Sequence, residues 1–459
     1  MSYRVRVATV YLLGFFIDLV NMFIANVAYP EIGRHFQAPV SQLAWVSNAY
    51  ILGLTLVIPL SGWLAKRMGA KRLFILSLMI FMLGSVGVAA SLSILQLIGW
   101  RFLQGVGGGL LIPIGQTMTY ALYRSHERAK LSSVVMLVAL LAPALSPAAG
   151  GLLIEGLNWR WVFLASLPLA VVTLLLAGFW LNADKSTEAA GRLDLVGLIS
   201  GCFALTLILL GLTSLGESQS VHQGVLMLIS GIIVFSGYVW NALGKSQPLI
   251  NLHLIKDPLF KTAMLIYQFV PGVYTGVSMI TMLYLQNELG MHAAFVGALM
   301  LPWSIASFIA ISFTGRRFNF LGPRPLFILG CVVQALGIGL LATTGHSASA
   351  MICVIAFCLM GFGGSLCSST AQSSAFLYIP DGHLADASAI WNINRQLSFC
   401  LGVTLISLLF NLLANSGISD DRAYQLCFVI AACSSVVPIL CCLRIANRNV
   451  LFTLNQEKS

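Results

Sequence analysis

The chain has 459 residues, 58% of them hydrophobic and only 9% charged, and its mean hydropathy is +0.90. Because soluble globular proteins carry roughly 25% charged residues, this composition excludes a water-soluble fold and indicates a protein of the lipid bilayer. The formal net charge of +10 does not indicate a nucleic-acid partner, because the basic residues fall in short loops between apolar runs, as the positive-inside rule produces.

Apolar runs long enough for a helix of about 20 residues recur along the whole chain. The first run continues to about Pro30, too long for the apolar core of a signal peptide, which is about 7–15 residues, so we predict an uncleaved first span. The connections are short, and no stretch is typical of a soluble domain. The sequence predicts an all-α integral membrane protein with fourteen transmembrane helices, over residues 7–29, 42–64, 73–92, 97–121, 131–155, 161–181, 194–215, 223–243, 262–286, 293–314, 325–344, 350–376, 388–413 and 424–444.

Basic residues set the orientation of these spans. They precede the first span, lie in the second, fourth, sixth, eighth and tenth connections and close the chain, whereas the odd-numbered connections hold only Arg34, Arg160 and Arg422. Short loops rich in lysine and arginine stay in the cytoplasm. Both termini are therefore predicted to be cytoplasmic, which requires an even number of spans.

The two halves of the chain repeat each other. The second connection reads GWLAKRMGAKRLFIL from Gly62 and the tenth reads GRRFNFLGPRPLFIL from Gly315, and GVGG at Gly105 returns as GFGG at Gly361. Both copies begin on the same side of the membrane, so they are parallel repeats related by an axis along the membrane normal. Matching spans 1–6 with spans 9–14 predicts an N-terminal six-helix bundle (1–183), a two-helix insertion (184–258) and a C-terminal six-helix bundle with a cytoplasmic tail (259–459).

The sequence contains no motif for catalysis or for a cofactor. The stretch GVGGG at 105–109 lies inside a span, whereas a nucleotide-binding glycine loop must follow a strand and open a helix. Small residues inside a span instead let helices approach closely. No Walker A, HExxH, serine-nucleophile or metal-ligand pattern occurs, and the ten cysteines form no ligand set. We predict that the protein is not an enzyme and holds no metal.

Few ionisable residues lie well inside the spans: Asp18, Arg101 and Arg395. A charge at bilayer depth costs about 2.5–3.5 kcal/mol on insertion scales, and such residues usually face a cavity and mark ion or substrate pathways. We interpret Asp18 as a proton carrier; the alternative is a carboxylate that pairs with a neighbouring helix for assembly. Arginine stays protonated, so Arg101 and Arg395 either act on coupling and substrate or join helices.

Several motifs, in the expected order, resemble the major facilitator superfamily, specifically its fourteen-span drug:proton antiporter branch in bacterial inner membranes. GWLAKRMGAKR at 62–72 is similar to the loop motif GxLADRxGRRR, and RFLQGVGGG at 101–109 matches RxxQGxGxA. ALSPAAGGLL at 144–153 resembles the antiporter motif GPxxGG, and DASAIWNINRQLSFCLGV at 386–403 resembles the span-13 signature. The resemblance covers most of the chain and implies the major facilitator fold, with two six-helix bundles plus two extra central helices.

The resemblance implies that Arg101 and Gln104 shape proton coupling, and that Pro147, Gly150 and Gly151 bend or pack span 5 at the bundle interface. The proton-coupling candidates are Asp18 and Arg101. The substrate-cavity candidates are polar or aromatic residues on spans expected to line the cavity: Asn21, Asn48, Tyr50, Gln104, Gln268, Tyr274, Trp391, Asn394 and Arg395. The candidates for conformational control are Gly62, Lys66, Arg67, Gly69, Lys71, Arg72, Pro147, Gly150 and Gly151.

Three departures from the family pattern bear on mechanism. The fifth position of the loop motif, an acid in the family, is Lys66, and the first glycine of the span-5 motif is Ser146. In span 1 the family has an aspartate five residues before the asparagine of NVALP, and alignment on Asn26 places Asn21 there. Asp18 stands three residues earlier, about one helical turn away. The proton site has therefore either moved along this helix or been lost.

These features predict a proton-coupled secondary transporter that exports drug-like or amphipathic small molecules, driven by the proton gradient without a cofactor. A dedicated exporter of a metabolite, siderophore or organic acid is the alternative, because the spans offer one acid and two arginines. The rival from another class is a non-transporting membrane sensor. We expect a monomer in the bacterial inner membrane, with a small-molecule substrate, protons and the lipid bilayer as its partners.

Overall fold

The computed structural model describes residues 1–38, 40–182, 193–216, 221–245, 248–291, 296, 298–344, 350–414 and 416–456, and the regular structure of these residues is entirely helical. Short 3₁₀ turns lie at Ile58–Leu60, Leu252–Lys256 and Asp381–His383, and π-helical turns lie at Gln268–Gly272 and Tyr284–Glu288. The helices, in chain order, are α1 (Tyr3–Phe36), α2 (Val40–Val57), α3 (Ser61–Met68), α4 (Ala70–Ala89), α5 (Ile94–Tyr120), α6 (Ser125–Gly156), α7 (Trp159–Leu164), α8 (Leu167–Trp180), α9 (Leu195–Gly216), α10 (Val221–Gly244), α11 (Pro258–Tyr267), α12 (Val273–Leu283), α13 (Met300–Leu321), α14 (Pro323–Leu341), α15 (Ala350–Ala375), α16 (Leu384–Ala414), α17 (Asp420–Ser434), α18 (Val436–Leu443) and α19 (Asn447–Gln456).

Twelve helical segments in the described part of the chain are long and apolar enough to cross a membrane. They coincide with twelve of the fourteen predicted spans. Helices α6 and α13, predicted as spans five and ten, contain 32 and 22 residues but are not among the twelve. In α13, Arg316 and Arg317 make the end of the helix polar. The all-helical fold is as predicted, and the count of fourteen spans is not confirmed.

The two copies of the repeated loop motif form the same turn between two helices. Helix α3 ends at Met68 and α13 at Leu321, so most of each motif is helical rather than a loop. Each helix is followed by a glycine at positive φ, Gly69 at 85° and Gly322 at 73°. Glycine adopts these angles without the steric penalty that a Cβ brings, which explains the glycine seven residues into each copy.

The first half of the molecule consists of α1, α2, α4, α5, α6 and the α7–α8 pair, with α5 packed against α1, α2 and α4. The glycines of GVGGG lie directly on the neighbouring backbones. A Cβ at Gly107 would lie 2.5 Å from the amide nitrogen of Phe81, and one at Gly105 would overlap the carbonyl oxygen of Tyr50. The predicted role of these small residues in close helix contact is confirmed.

The second half consists of α11 to α18, in which α15 packs against α13 and α14, and α12 against α16. Helix α12 crosses α16 closely, where Gly402 faces the backbone of Gly272 in the π turn. The break in the helix at this turn coincides with Pro271, which removes a backbone donor.

Replacing Gly402 with alanine is expected to destabilise this half, because the new Cβ would overlap the Gly272 carbonyl group. Overpacking costs roughly 1–3 kcal/mol, and a backbone neighbour cannot rotate away. Thermal unfolding of the purified protein in detergent should show a lower midpoint for Gly402→Ala. The matched control is Gly237→Ala in α10, where a Cβ meets nothing within 4 Å. Equal midpoints for the two variants would contradict the tight crossing.

One face of the molecule, here called the terminal face, gathers the start of α1, the α3–α4 turn, the α5–α6 connection and the end of α8. Arg4 Nη1 pairs with Glu127 Oε1 at 2.7 Å, and Lys71 Nζ donates to the carbonyl of Gly178 at 2.8 Å. Burial acts to raise the pKa of Glu127, but hydrogen bonds from the Arg124 amide and from Arg4 outweigh it and lower the pKa. Asn319 at the end of α13 donates to the carbonyl of His126, which brings the second half to the same face.

The halves meet at a seam formed by α5 and α6 with α13, α15 and α16. Near the terminal face, Arg128 donates to the carbonyl of Phe376 at 2.9 Å and to Asp381 Oδ1 at 2.8 Å. Deeper in the seam, Gln116 Oε1 accepts from Asn392 Nδ2 at 3.0 Å and from Ser388. These contacts close the seam on the terminal-face side.

Helices α9 and α10 form a hairpin on the outside of the two halves. Glycines at the contact bring the two helices together, and a Cβ at Gly211 would lie 2.7 Å from the Leu228 amide nitrogen. Helix α9 touches both halves: Cys202 donates to the carbonyl of Leu56 at 3.3 Å, and its own Leu212 carbonyl accepts from Thr404 at 2.9 Å.

Candidate functional site

Asp18 lies in the middle of α1 with 1% of its surface exposed. Its Oδ1 atom accepts a hydrogen bond from the hydroxyl of Tyr50 on α2. Gly108 of α5 lies beside the carboxylate, and a Cβ there would overlap Oδ1. Oδ2 is buried and has no hydrogen-bond partner among the described residues. The carboxylate is therefore held through one oxygen, while the other remains able to take a proton or a ligand.

Arg101 organises the polar groups around this carboxylate. Its Nε donates to the Val46 carbonyl at 3.0 Å, and its Nη1 donates to Asn21 Oδ1 and to Gln104 Oε1, both at 2.7 Å. The guanidinium stacks on the ring of Tyr50, with Cζ 4.3 Å from the ring centroid. The planar cation is thereby fixed between two helices and an aromatic face.

Asp18 and Asn21 occupy two different positions in this network. Asn21 pairs with Arg101 and also donates to Ser166 Oγ at 3.3 Å, whereas Asp18 pairs with Tyr50. None of the described ion pairs joins Asp18 to Arg101, but Tyr50 contacts both, Asp18 through its hydroxyl and Arg101 through its ring. Asn21 therefore accepts the hydrogen bond from Arg101, whereas Asp18, one turn away on α1, accepts the hydrogen bond from Tyr50.

Arg395 of α16 faces α1 from the other half. Its Cζ atom lies 5.5 Å from the ring centroid of Phe15, which is one turn of α1 from Asp18. Only 8% of Arg395 is exposed. Its Nε has no acceptor among the described residues. The structure therefore brings Asp18 and Arg395, both predicted site residues, together across the seam.

Gln268 and Asn394, two further predicted cavity residues, contact each other. Gln268 Nε2 donates to Asn394 Oδ1 at 2.9 Å, and Gln268 opens the π-helical turn that precedes α12. Such π-turns within helices are frequent at functional sites. Asn394 precedes Arg395 on α16, so the hydrogen bond from Gln268 holds α16 to the π-turn next to Arg395.

The remaining cavity candidates lie elsewhere. Trp391 is buried in the seam and donates from Nε1 to Gln372 Oε1 at 2.7 Å. Tyr274 stacks on Trp303, with ring centroids 5.6 Å apart and an angle of 10° between the rings. Asn48 is partly buried on α2. None of the described contacts joins these three to Asp18.

The residues of the seam are not predicted by the sequence patterns. Arg128 is predicted only as a basic residue of a loop, and Gln116 and Gln372 are not singled out, although polar residues inside apolar spans could have indicated them. Trp303 is missed in the same way. A cavity of about 680 Å³ lies at the terminal face between residues 121–124 and 377–381, away from Asp18; it is a gap between the loops that the closed seam leaves.

The loop motif on α3 lies next to the first turn of α16. Gly62 of α3 lies against the first turn of α16, where a Cβ would stand 3.5 Å from Ala385 and 3.9 Å from Asp386 Oδ1. Lys66, where the family has an acid, interacts electrostatically with Asp386. A lysine on α3 and an aspartate on α16 therefore attract each other across the seam.

Some of the other candidates for conformational control contact neighbouring residues, and others do not. Arg67 lies over the Trp63 ring at 5.3 Å, Lys71 holds α8, and Arg72 is exposed. Of the span-5 motif, the Pro147 side chain lies outside the described residues, and Gly150 is buried. A Cβ at Gly151 would meet nothing within 4 Å, so close packing there is not seen in this conformation.

Two helical halves around a central polar network form an architecture known from membrane transporters. The family model of the Major Facilitator Superfamily matches residues 11–403, so the chain belongs to this family of transporters, which are not enzymes.

Similar curated proteins are named for drug resistance. The chain is 28% identical to the lincomycin resistance protein LmrB of Listeria monocytogenes over 397 residues, covering 86% of this chain and 84% of the relative. It is 29% identical over 419 residues to MdtD of Yersinia pestis, a proposed multidrug resistance protein, with 89% and 88% covered.

Solved structures share the fold at low sequence identity. The human organic anion transporter MFSD10 (TETRAN) superposes with a TM-score of 0.70 at 15% identity, over 96% of this chain and all of that one. The proton:xylose symporter XylE, bound to 6-bromo-6-deoxy-D-glucose, gives 0.68 at 14% identity, over 96% and 95%. The protein is a multi-pass membrane transporter with multidrug-resistance relatives.

Proposed function

We propose that the protein is a proton-coupled antiporter that exports drug-like or amphipathic small molecules from the bacterial cytoplasm. The observation that carries the proposal is Asp18, a buried intramembrane carboxylate whose Oδ2 has no partner among the described residues. Such residues mark proton relays and substrate pathways in transporters. The resistance named for LmrB and MdtD supports export as the direction.

The proposed arrangement places the terminal face in the cytoplasm and the chain in the inner membrane as a monomer. Helices α6 and α13 would then cross the membrane with the twelve other segments, giving fourteen spans, because both pack within the halves. The halves correspond to residues 1–183 and 259–459, and α9 and α10 form the insertion between them. No cofactor is required, since the proton gradient supplies the energy.

In the proposed cycle, Asp18 takes a proton from the periplasm as substrate leaves, and it loses the proton to the cytoplasm before the next substrate binds. The closed seam at the terminal face is the state in which the site would face the periplasm. Entry of substrate from the cytoplasm requires the contacts of Arg128 and Gln116 to part. Tyr50 would link the charge on Asp18 to the Arg101 network.

Two alternatives differ in their support. A dedicated exporter of a metabolite, siderophore or organic acid is favoured by Arg395, a buried cation whose Nε has no described acceptor. The attraction between Lys66 and Asp386 weighs against a non-transporting sensor, because the loop motif still meets an opposite charge across the seam.

The proposal is tested first in cells with and without the protein, by comparing accumulation of a panel of toxic compounds and metabolites. The compound with the largest difference is then followed into proteoliposomes that contain the full chain and have an acidic interior. We expect uptake above that of protein-free liposomes and its loss when nigericin collapses the pH gradient. Binding of the compound without any proton-dependent flux would support the sensor instead.

A further inference from the structure

We propose that the central site takes a zwitterionic organic molecule, with its cationic group at Asp18 and its anionic group at Arg395. This assignment rests on the proposed export function and names the substrate class for that site. It follows from two buried groups of opposite charge that face each other from α1 and α16, and that each have an unused hydrogen-bonding atom among the described residues.

Arg395 differs from the other two buried arginines. Arg101 donates to a carbonyl and two side-chain amides and leaves only Nη2 without a described partner, and Arg128 donates to carbonyls and to Asp381. For Arg395, no described carboxylate lies within 4.0 Å and Nε has no acceptor. A buried charge without a partner is strongly unfavourable. A bound anionic group would supply the missing acceptors.

Asp18 supplies the complementary requirement. Tyr50 uses Oδ1, and Oδ2 has no described partner although it is buried. A carboxylate accepts hydrogen bonds from an ammonium or a similar cation, and these charge-assisted bonds are among the stronger ones. The cation of the substrate and the proton would then compete for one carboxylate, and this competition is what an antiporter needs.

The spacing excludes direct neutralisation of the two groups by each other. No described ion pair joins them, so their charged atoms are more than 4.0 Å apart in this conformation. Phe15, one turn of α1 from Asp18, lies under the Arg395 guanidinium and stacks with Tyr11, with ring centroids 5.9 Å apart. A ligand with a charge at each end and an apolar body would match the chemistry of these groups.

Ligands with a single charge fit less well. A simple cation at Asp18 would face the unneutralised positive charges of Arg101 and Arg395. A simple anion at Arg395 would leave Oδ2 of Asp18 unused, and protonation of Asp18 would strengthen its binding rather than displace it. Only a molecule with both charges pairs Arg395 and still exchanges with the proton.

One dye scaffold in three charge forms tests the assignment. Rhodamine 110 has a cationic xanthene and a free carboxylate, rhodamine 123 is its methyl ester with the cation only, and fluorescein is the anionic counterpart. Fluorescence polarisation with the purified full chain measures each Kd. We expect rhodamine 110 to bind at least about tenfold more tightly than either analogue, the difference expected for one charged hydrogen-bonded contact.

Variants assign each end of the ligand. Arg395→Gln should remove the preference for rhodamine 110 over rhodamine 123. Asp18→Asn should remove the preference for rhodamine 110 over fluorescein. Arg395→Lys should keep part of the first preference, and Arg124→Gln, an exposed arginine at the terminal face, should change neither. Size-exclusion profiles equal to that of the wild type show that each variant is folded.

Equal affinities for the three dyes in the wild type, or an Arg395→Gln variant that keeps the full preference, would overturn the zwitterion assignment. Both results leave proton-driven export untouched. Conversely, selective binding of rhodamine 110 with no proton-dependent transport would support the site and count against the proposed function.

Discussion

Asp18→Asn is expected to reduce proton-driven transport in proteoliposomes to the level of liposomes without protein. The asparagine keeps the size of the side chain and can still accept the hydrogen bond from Tyr50 through its carbonyl oxygen, so the fold should be retained. What it loses is the ability to gain and lose a proton. The measurement is uptake of the exported compound driven by an acidic interior, with thermal unfolding as the check on folding.

The matched control for this prediction is Glu127→Gln, which removes a carboxylate at the terminal face, paired with Arg4 outside the central network. It should leave the coupling unchanged. Full proton-driven transport by Asp18→Asn would show that another group carries the proton.

The exchange of Asp18 and Asn21 tests whether the acid can serve at either position. In the double variant Asp18→Asn, Asn21→Asp, the carboxylate would stand where Asn21 now accepts from Arg101 Nη1 at 2.7 Å. We expect partial recovery of proton-driven transport relative to Asp18→Asn alone, because the new acid is in the same buried network. No recovery would mean that the contact with Tyr50, and not only a carboxylate on α1, is required.

Arg128→Gln is expected to open the seam at the terminal face. The guanidinium is buried and bonds to the Phe376 carbonyl and to Asp381 across the seam, in addition to the Tyr123 carbonyl on its own side. The Asp381 side chain is 70% exposed, so the ion pair itself adds little. Losing a hydrogen bond from a charged group costs about 1.5–3 kcal/mol, and at about 1.4 kcal/mol for each factor of ten the equilibrium constant for closure should fall at least about tenfold.

Hydrogen–deuterium exchange of the full chain, compared between the wild type and Arg128→Gln, measures this opening. Amides of residues 121–124 and 376–383 should exchange faster in Arg128→Gln, while the α9–α10 hairpin is unchanged. Arg124→Gln is the control, because this neighbouring arginine is exposed. Unchanged protection in Arg128→Gln would show that Gln116 and its partners hold the seam by themselves.

Much of this protein could be predicted from local features of the sequence. Composition and the length of the apolar runs indicated a helical membrane protein, and the repeated motifs indicated two halves, seen here as the matching turns at Gly69 and Gly322. The three charges within the spans were identified because they are conspicuous among apolar residues. These features depend on residues close together in the chain, where the physical cause, the cost of polar groups in lipid, acts on each segment separately.

Only the tertiary structure decided which groups are partners. The rotation of each helix about its axis and its crossing angle place Tyr50 between Asp18 and Arg101, and Asp386 beside Lys66. Neither pairing is visible in the spacing of the residues, which are tens to hundreds of positions apart. The alignment left open whether the proton site had moved or been lost. The structure keeps Asn21 on the arginine and provides Asp18 with a buried site of its own, because packing of α1 against α2 and α5 fixes both side chains.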